Sequence, residues 1–380
     1  MTVGVPKESF PGERRVALVP AHVSTLTSAG CTVQVEAGAG AAAGYRDAAY
    51  RERGAEIVED RQKLLADADL LLTVRCADAD PDATQGYVEK LPKGAVVIGQ
   101  ADPYQDGAGL HALEAHGATL FALELMPRIT RAQSMDVLSS MANLSGYKAV
   151  LLAADHLPKM FPMMMTAAGT IVPASVFVVG VGVAGLQAIA TAKRLGAVVS
   201  AYDIRPSVKE QVQSLGAKFV EMELDNEAAE GAGGYAKAMD EEFYRRQREL
   251  MSNVVAEHDV VITTAAVPGK QAPVLVTRDM VERMEPGSVI VDLAAERGGN
   301  CELSEPDQRV EHAGVHVLGP TNVPSTIAYH ASQLYSKNIT AFASVLLQEG
   351  KLHIDEADEI VGATMLLRDG ERPQRESGES

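Results

Sequence analysis

Short runs of apolar residues, each followed by a stretch with helical periodicity, recur along the chain. The runs at residues 70–74 and 95–98 are continuous and are bounded by Asp, Pro or Gly, and similar runs occur at 176–179, 260–264 and 289–293. Continuous apolar runs are typical of strands in a parallel sheet that helices cover on both faces. The pattern predicts an α/β fold with two Rossmann-like domains, each with a parallel sheet, linked by long helices and separated by a cleft.

The order of these elements also divides the chain. We expect an N-terminal α/β domain formed by residues 1–132 and completed by residues 328–380. A second domain is expected over residues 133–327. A helix over about residues 133–155 should lead into this second domain, and a long helix over residues 327–347 should return to the first.

The most specific chemical motif lies between two of the apolar runs. Gly180, Gly182 and Gly185 form the pattern G-x-G-x-x-G between a predicted strand and a periodic helix, and Asp203 ends the next apolar run 18 residues later. The glycines allow a tight turn, close approach of the backbone to a pyrophosphate and close helix packing, and the helix N terminus favours phosphates. Asp203 can accept both ribose hydroxyls and would repel a 2′-phosphate, so the motif predicts NAD(H) rather than NADP(H).

Neighbouring residues complete this predicted site. Those next to the motif are Val183, Ala184, Ile204 and Arg205. Arg205 leaves an alternative open, because its guanidinium could bind a 2′-phosphate, although Asp203 comes first at the strand end. Small residues follow two other predicted strands and leave room for a ligand ring. The positions expected to line that space are Ala265, Ala266 and Leu293.

A polar segment follows Pro127, and a helix is expected to begin near Gln133 or Ser134. Gln133, Asp136 and Ser140 would then lie on or near one helix face. Because this helix leads into the nucleotide domain, we expect its first turn at the cleft between the domains, where ligands bind. The alternative is a solvated helix start with capping residues.

Residues 221–240 are acidic, rich in Gly and Ala, and without a clear period. Such a long irregular segment in a compact domain is often a lid or a binding loop. Gly234 precedes Tyr235, whose ring and hydroxyl could contact a ligand. A disordered insertion is the alternative.

The composition argues against several classes of function. The 380 residues carry a net charge of −17, only 4% are aromatic and none is Trp, which argues against a nucleic-acid partner. No apolar run approaches the roughly 18 residues of a membrane span, and no secretion signal is visible, so we expect a cytoplasmic protein without direct membrane insertion. The three cysteines match no metal-ligand spacing, so no metal site is expected.

Four segments together carry a family resemblance: RITRAQSMDVLSS, GVGVAG, AYDIRPSVKEQVQSLGAKFVEM and GGYAKAM. They resemble the NAD(H)-binding, membrane-peripheral portion of proton-translocating nicotinamide nucleotide transhydrogenase, and the likeness covers about residues 1–365. The opening KESFPGERRVALVP is shared more widely, with alanine dehydrogenases and their relatives.

The resemblance implies a homodimer at the inner face of the cell membrane that binds NAD(H) and is active only with its partners. One partner subunit binds NADP(H), and another spans the membrane and translocates protons. The resemblance also assigns the nicotinamide end of NAD(H), and the catalytic roles, to one turn. The residues with both roles here are Arg128, Gln133, Asp136 and Ser139, and Ile129 is expected only to contact the cofactor. Tyr235 falls on a mobile loop. Met141 departs from the pattern, because a Gln is expected there.

Within that turn we expect Arg128 and Asp136 to form a charge-assisted pair. Gln133 would bind the nicotinamide ribose, and Ser139 the carboxamide region. Hydride transfer between two nicotinamides needs positioned rings and no general acid or base.

A soluble alanine dehydrogenase-like enzyme is the alternative, with Arg15 as a plausible carboxylate ligand. Such an enzyme must also transfer a proton, and the positions expected to hold its Lys and His hold Arg75 and Gln100 here. Arg75 stays protonated and cannot accept that proton.

Overall fold

A computed structural model describes residues 1–222, 241–267 and 269–373 of the chain. These residues form two compact units. Unit 1 comprises the described residues within Met1–Met141 and Pro324–Ser380, and unit 2 comprises those within Ala142–Val323.

Unit 1 is built on a sheet of seven described strands. They are β1 Thr2–Val5, β2 Thr32–Glu36, β3 Glu56–Val58, β4 Leu70–Arg75, β5 Val96–Gln100, β6 Thr119–Ala122 and β18 Met365–Leu367. The strand order is β18-β6-β5-β4-β1-β2-β3, and only β18 pairs antiparallel within the described sheet. The first five residues of the central strand β4 are fully buried, as expected for a sheet covered on both faces.

Helices cover the unit 1 sheet. They are α1 Pro20–Ser28, α2 Asp47–Arg51, α3 Arg61–Asp67, α4 Pro81–Val88, α5 Ala108–His116, α11 Ala328–Val345 and α12 Glu359–Thr364. Local sequence explains several helix starts, because α1 and α4 begin with proline and the carboxylates of Asp60, Asp80 and Asp358 cap α3, α4 and α12. A small hairpin, β16 Leu347–Gln348 and β17 Lys351–Leu352, follows α11.

Unit 2 also contains a sheet of seven described strands. They are β9 Ser175–Val179, β10 Val198–Tyr202, β11 Lys218–Phe219, β12 Val260–Thr263, β13 Val289–Asp292, β14 Arg309–His312 and β15 Val315–Leu318. The order is β11-β10-β9-β12-β13-β15-β14, and β14 is antiparallel to β15. Chain order reverses direction at β9, which lies between β10 and β12, and ligands bind at such switch points in open parallel sheets.

The helices that end in unit 2 are α6 Val137–His156, α7 Val183–Arg194, α8 Lys209–Ser214, α9 Glu241–Ala256 and α10 Arg278–Glu282. A hairpin formed by β7 Met164–Thr166 and β8 Gly169–Ile171 precedes β9. Across the described ranges, no helix combines the length and the apolar character needed to cross a membrane. The predicted α/β fold with two parallel-dominated sheets is confirmed.

The predicted start of α6 is wrong. Thr130–Met135 forms a 3-10 turn, Asp136 has non-helical dihedrals (φ −74°, ψ 94°), and the α-helix begins at Val137. Gln133, Asp136 and Ser140 therefore do not share one helix face. The polar pattern of the segment comes from a turn and a helix start instead.

Candidate nucleotide-binding site

The glycine turn follows β9 and has the geometry that its motif requires. Gly180 has φ +91°, and a Cβ there would lie 2.7 Å from Thr264 Oγ1 and 3.1 Å from the Ala265 nitrogen. The Thr264 hydroxyl donates a 2.9 Å hydrogen bond to the Gly180 carbonyl, which ties the turn to the residue after β12. A Cβ on Gly185 would lie 1.9 Å from that same carbonyl oxygen. Both positions therefore require glycine for reasons of backbone and packing.

Gly182 is different, because the fold does not require glycine there. Its φ is −81°, and a Cβ would meet no atom of the described residues within 4 Å. It immediately precedes α7, whose first turn carries no acidic residue. A glycine that the protein itself does not need fits a position where a ligand approaches the backbone closely.

Asp203 lies directly after β10 and beside this turn. Its carboxylate accepts hydrogen bonds from the Val181 nitrogen at 2.7 Å and from the Arg205 nitrogen at 2.8 Å. The Arg205 side chain adds two more, from Nε and Nη2, each at 2.8 Å. Asp203 is 6% exposed and Arg205 is 9% exposed, so this is a buried, bidentate ion pair.

Predicted residues of unit 2 meet at one sheet edge. The glycine turn follows β9, Asp203 follows β10, Ala265 and Ala266 follow β12, and Leu293 follows β13. These four strands are neighbours and parallel, so their carboxyl ends lie along the same edge. Val183 and Ala184 open α7, and Ile204 lies between Asp203 and Arg205.

Two residues that the sequence reasoning missed shape this edge. The buried side chain of Asn300 binds Ala265 twice, accepting from its nitrogen at 2.9 Å and donating to its carbonyl at 2.8 Å. The buried Asp292 carboxylate accepts from the nitrogens of Ala294, Asn300 and Cys301. Together they fix the chain after β12 and β13, and the only sequence signal is the G-G-N-C segment that follows β13.

The predicted nicotinamide residues lie in unit 1. Asp136 precedes α6, and its carboxylate accepts hydrogen bonds from the Ser139 nitrogen at 2.8 Å and from Ser139 Oγ at 2.6 Å. This is helix N-capping, the alternative that the sequence left open for this segment. The pairing of Asp136 with Arg128 stays a prediction. Arg128 and Gln133 are exposed, and Ile129 is half-buried. Gly234 and Tyr235 lie outside the described residues.

Unit 1 also contains a buried charge cluster that the sequence reasoning found only in part. Arg15 donates from Nε and Nη2 to Glu13 at 2.8 and 2.7 Å, and Arg75 Nε donates to Glu13 at 3.2 Å. Burial pushes the pKa of Glu13 upward, but the hydrogen bonds and charge of Arg15 outweigh it and lower the pKa to about 2. Glu13 therefore already binds Arg15, the residue predicted as a carboxylate ligand.

The sheet topology, the glycine turn at the switch point and the acid after the neighbouring strand define an α/β protein of the dinucleotide-binding type. The chain belongs to the alanine dehydrogenase/PNT family. The model of that family's N-terminal domain matches residues 4–145, and the model of its C-terminal domain matches residues 149–374.

Similar proteins include transhydrogenases and alanine dehydrogenases. The chain is 48% identical over 375 residues to an NAD(P) transhydrogenase alpha-subunit protein of Rhodospirillum rubrum, and the alignment covers 97% of each chain. The crystal structure of transhydrogenase from Sinorhizobium meliloti is 47% identical, with a TM-score of 0.88 and coverage of 98% of this chain and 100% of that one. Alanine dehydrogenase of Bacillus subtilis is 30% identical over 348 residues, which cover 90% of this chain and 84% of that protein. The predicted resemblance to transhydrogenase is confirmed.

Proposed function

We propose that this chain is the NAD(H)-binding subunit of a proton-translocating transhydrogenase, which passes hydride between NADH and NADP⁺ bound on a partner subunit. The observation that carries the proposal is the Asp203 carboxylate beside the glycine turn, in a chain 48% identical to a transhydrogenase alpha-subunit protein. The adenosine ribose would bind at Asp203.

The residues present fit the pyrophosphate and adenosine of a dinucleotide. Space at Gly182 lets the ligand reach the backbone, and the N terminus of the 12-residue helix α7 favours negative charge. The carboxylate of Asp203 can accept ribose hydroxyls in place of the Arg205 side chain, and its negative charge disfavours an added phosphate, which supports NAD(H) in preference to NADP(H). The neighbours assigned to this end are Val183, Ala184, Ile204 and Arg205.

From the resemblance, the nicotinamide end is assigned to Arg128, Ile129, Gln133, Asp136 and Ser139. Ala265, Ala266 and Leu293 are assigned to the space left for a ligand ring at the sheet edge. Bound NAD(H) would supply the hydride-carrying ring. The chain's own side chains hold that ring by hydrogen bonds and limit its orientation. Gly234 and Tyr235 are assigned as a closing loop on the resemblance alone. Proton translocation is assigned to a membrane-spanning partner subunit, so the chain would be active only with its partners.

We assign the chain to a homodimer that is cytoplasmic and peripheral at the inner face of the cell membrane. Support for a partner surface comes from the hairpin β7–β8, every residue of which is exposed. Met163, Met165 and Val172 at this hairpin are 61%, 77% and 76% exposed. Several exposed apolar side chains on one hairpin are typical of a protein–protein contact.

The alternative, a soluble alanine dehydrogenase-like enzyme, is favoured by the match to that enzyme of Bacillus subtilis. The charge cluster speaks against it, because Glu13 occupies the fork of Arg15 and the nearby Arg75 cannot accept a proton. Purified chain mixed with NAD⁺ and L-alanine should produce no NADH. Steady NADH production would favour the alternative.

A mixing experiment tests the proposed function. The purified chain, combined with the NADP(H)-binding partner domain, should transfer hydride between an NAD(H) analogue and NADP(H). Arg128→Ala and Gln133→Ala should slow this transfer by at least about tenfold while changing NADH affinity far less, because they act on the ring and not on the adenosine. Wild-type transfer rates in both variants would contradict the assignment of the turn.

A further inference from the structure

The 3-10 turn Thr130–Met135 is held by a side chain from a distant part of unit 1. Asn338 lies on the buried face of α11, and its Nδ2 donates a 2.8 Å hydrogen bond to the Ser134 carbonyl. The turn itself presents Gln133 and Ser134 as exposed residues, while Ala132 and Met135 anchor it by burial. The hydrogen bond from Asn338 therefore fixes the position of the backbone next to Gln133.

The same amide is costly to bury. Asn338 is 5% exposed, and its Oδ1 has no hydrogen-bond partner among the residues that the structure describes. An unpaired buried acceptor destabilises a fold, and Asn also has a low helix propensity. Its neighbours on this face of α11, Tyr335, Ile339 and Phe342, are fully buried. Packing alone would be served better by an apolar residue at position 338.

A second contact holds the other end of the turn. Arg131 donates from Nη1 and Nη2 to the two carboxylate oxygens of Asp358, each at 2.8 Å. Asp358 is itself fixed, because it caps α12 by accepting from the nitrogens of Ile360 and Val361. The hydrogen bonds of Arg131 are the main reason why the pKa of Asp358 is lowered to about 2. The turn is thus held on both sides by elements of the C-terminal segment.

We propose that Asn338 is a positioning residue for hydride transfer. Its hydrogen bond to Ser134 places Gln133 and the start of α6 for the nicotinamide ring. The unpaired Oδ1 destabilises the fold, and this loss of stability accompanies that placement. This inference rests on the proposed function of the turn. It adds a residue 204 positions away from Ser134 that contacts the turn rather than the cofactor.

Asn338→Leu separates positioning from simple packing. The variant removes both the donor and the unpaired acceptor, so its thermal stability should equal or exceed that of the wild type. Hydride transfer in the complex with the NADP(H)-binding partner domain should fall by at least about tenfold, and NADH affinity should stay within about twofold. Gln333→Leu, an amide replacement at an exposed position of the same helix, is the matched control and should leave both unchanged.

Asn338→Asp tests the positioning role through the pH dependence of the transfer rate. A purely structural role of Asn338 would not produce this dependence. The introduced carboxylate cannot donate to the Ser134 carbonyl, whereas the protonated acid can, and burial raises the pKa of such a group. The transfer rate of this variant, relative to the wild type, should therefore recover as the pH is lowered from about 8 to about 6.

Wild-type transfer rates in Asn338→Leu, or in Asn338→Asp at about pH 8, would overturn the inference, and so would a loss of rate matched by an equal loss of NADH affinity. A loss of thermal stability in Asn338→Leu would also overturn it. If the wild-type complex transfers hydride and Asn338→Leu transfers it at the same rate, only this inference fails. If the wild-type complex transfers none, the proposed function fails first.

Discussion

The guanidinium of Arg205 binds the carboxylate of Asp203 through Nε and Nη2, each at 2.8 Å. Two backbone nitrogens, those of Val181 and Arg205, donate to the same carboxylate. A carboxylate has about four acceptor positions, so these four donors use its capacity. The backbone donors are fixed by the fold, and a ribose diol that binds Asp203 therefore competes with the Arg205 side chain.

This competition predicts that Arg205→Ala binds NADH more tightly than the wild type, by about fivefold or ~1 kcal/mol. Affinity for NADPH should fall, because the variant lacks the cation that offsets the Asp203 charge near a 2′-phosphate. Fluorescence titration with both nucleotides measures the two effects. Arg194→Ala, which removes an exposed charge from α7, is the control and should change neither. Weaker NADH binding in Arg205→Ala would show instead that Arg205 is itself a ligand of NADH.

Gly182 and Gly185 predict opposite consequences of the same substitution. Gly182→Ala places a methyl group where the described chain has no atom within 4 Å, so thermal stability should be unchanged. NADH affinity should fall by at least about tenfold, because the methyl group blocks the approach of the pyrophosphate. Gly185→Ala should instead lower the melting temperature, since its Cβ would lie 1.9 Å from the Gly180 oxygen. Unchanged NADH affinity in a stable Gly182→Ala variant would contradict the placement of the pyrophosphate.

Glu8 predicts a pH dependence of stability. Burial raises the pKa of its carboxyl from 4.5 to about 8, although the carboxyl accepts hydrogen bonds from the nitrogens of Val74 and Arg75. Because the folded chain then binds more protons than the unfolded chain, the stability contributed by Glu8 is present below pH 4.5 and is lost as the pH rises towards about 8.

Glu8→Gln should remove this loss. The free energy of unfolding, measured by denaturant titration, should fall less between about pH 5 and about pH 9 for the variant than for the wild type. The difference between the two should be on the order of 1.4 kcal/mol for each unit by which folding raises the pKa of Glu8. Glu52→Gln, an exposed control in unit 1, should keep the wild-type dependence. An identical pH dependence in Glu8→Gln would mean that Glu8 is ionised in the folded chain.

The fold class could be predicted because buried parallel strands have a local signature. The run that forms β4 is continuous, apolar and bounded by polar residues, and the same holds for β12 and β13. The glycine turn and Asp203 are also local, since their roles follow from spacing along one strand–helix–strand unit.

The other features of the site depend on contacts that the spacing of residues along the chain does not encode. The start of α6 could not be predicted because polar residues at a 3-10 turn and at a helix N terminus look alike in sequence. The partners of Ser134 and Arg131 lie more than 200 residues away, at Asn338 and Asp358. The pairing of Arg205 with Asp203 depends on a rotamer, which the identity of the residues leaves open.

The most direct test of the account is a titration of the wild-type chain and of Asp203→Asn with NADH and with NADPH. The central claim is that the negative charge after β10 selects the unphosphorylated nucleotide. The wild type should therefore bind NADH at least about tenfold more tightly than NADPH, or ~1.4 kcal/mol, and Asp203→Asn should lose this preference. Equal affinities of the wild type for the two nucleotides would contradict it.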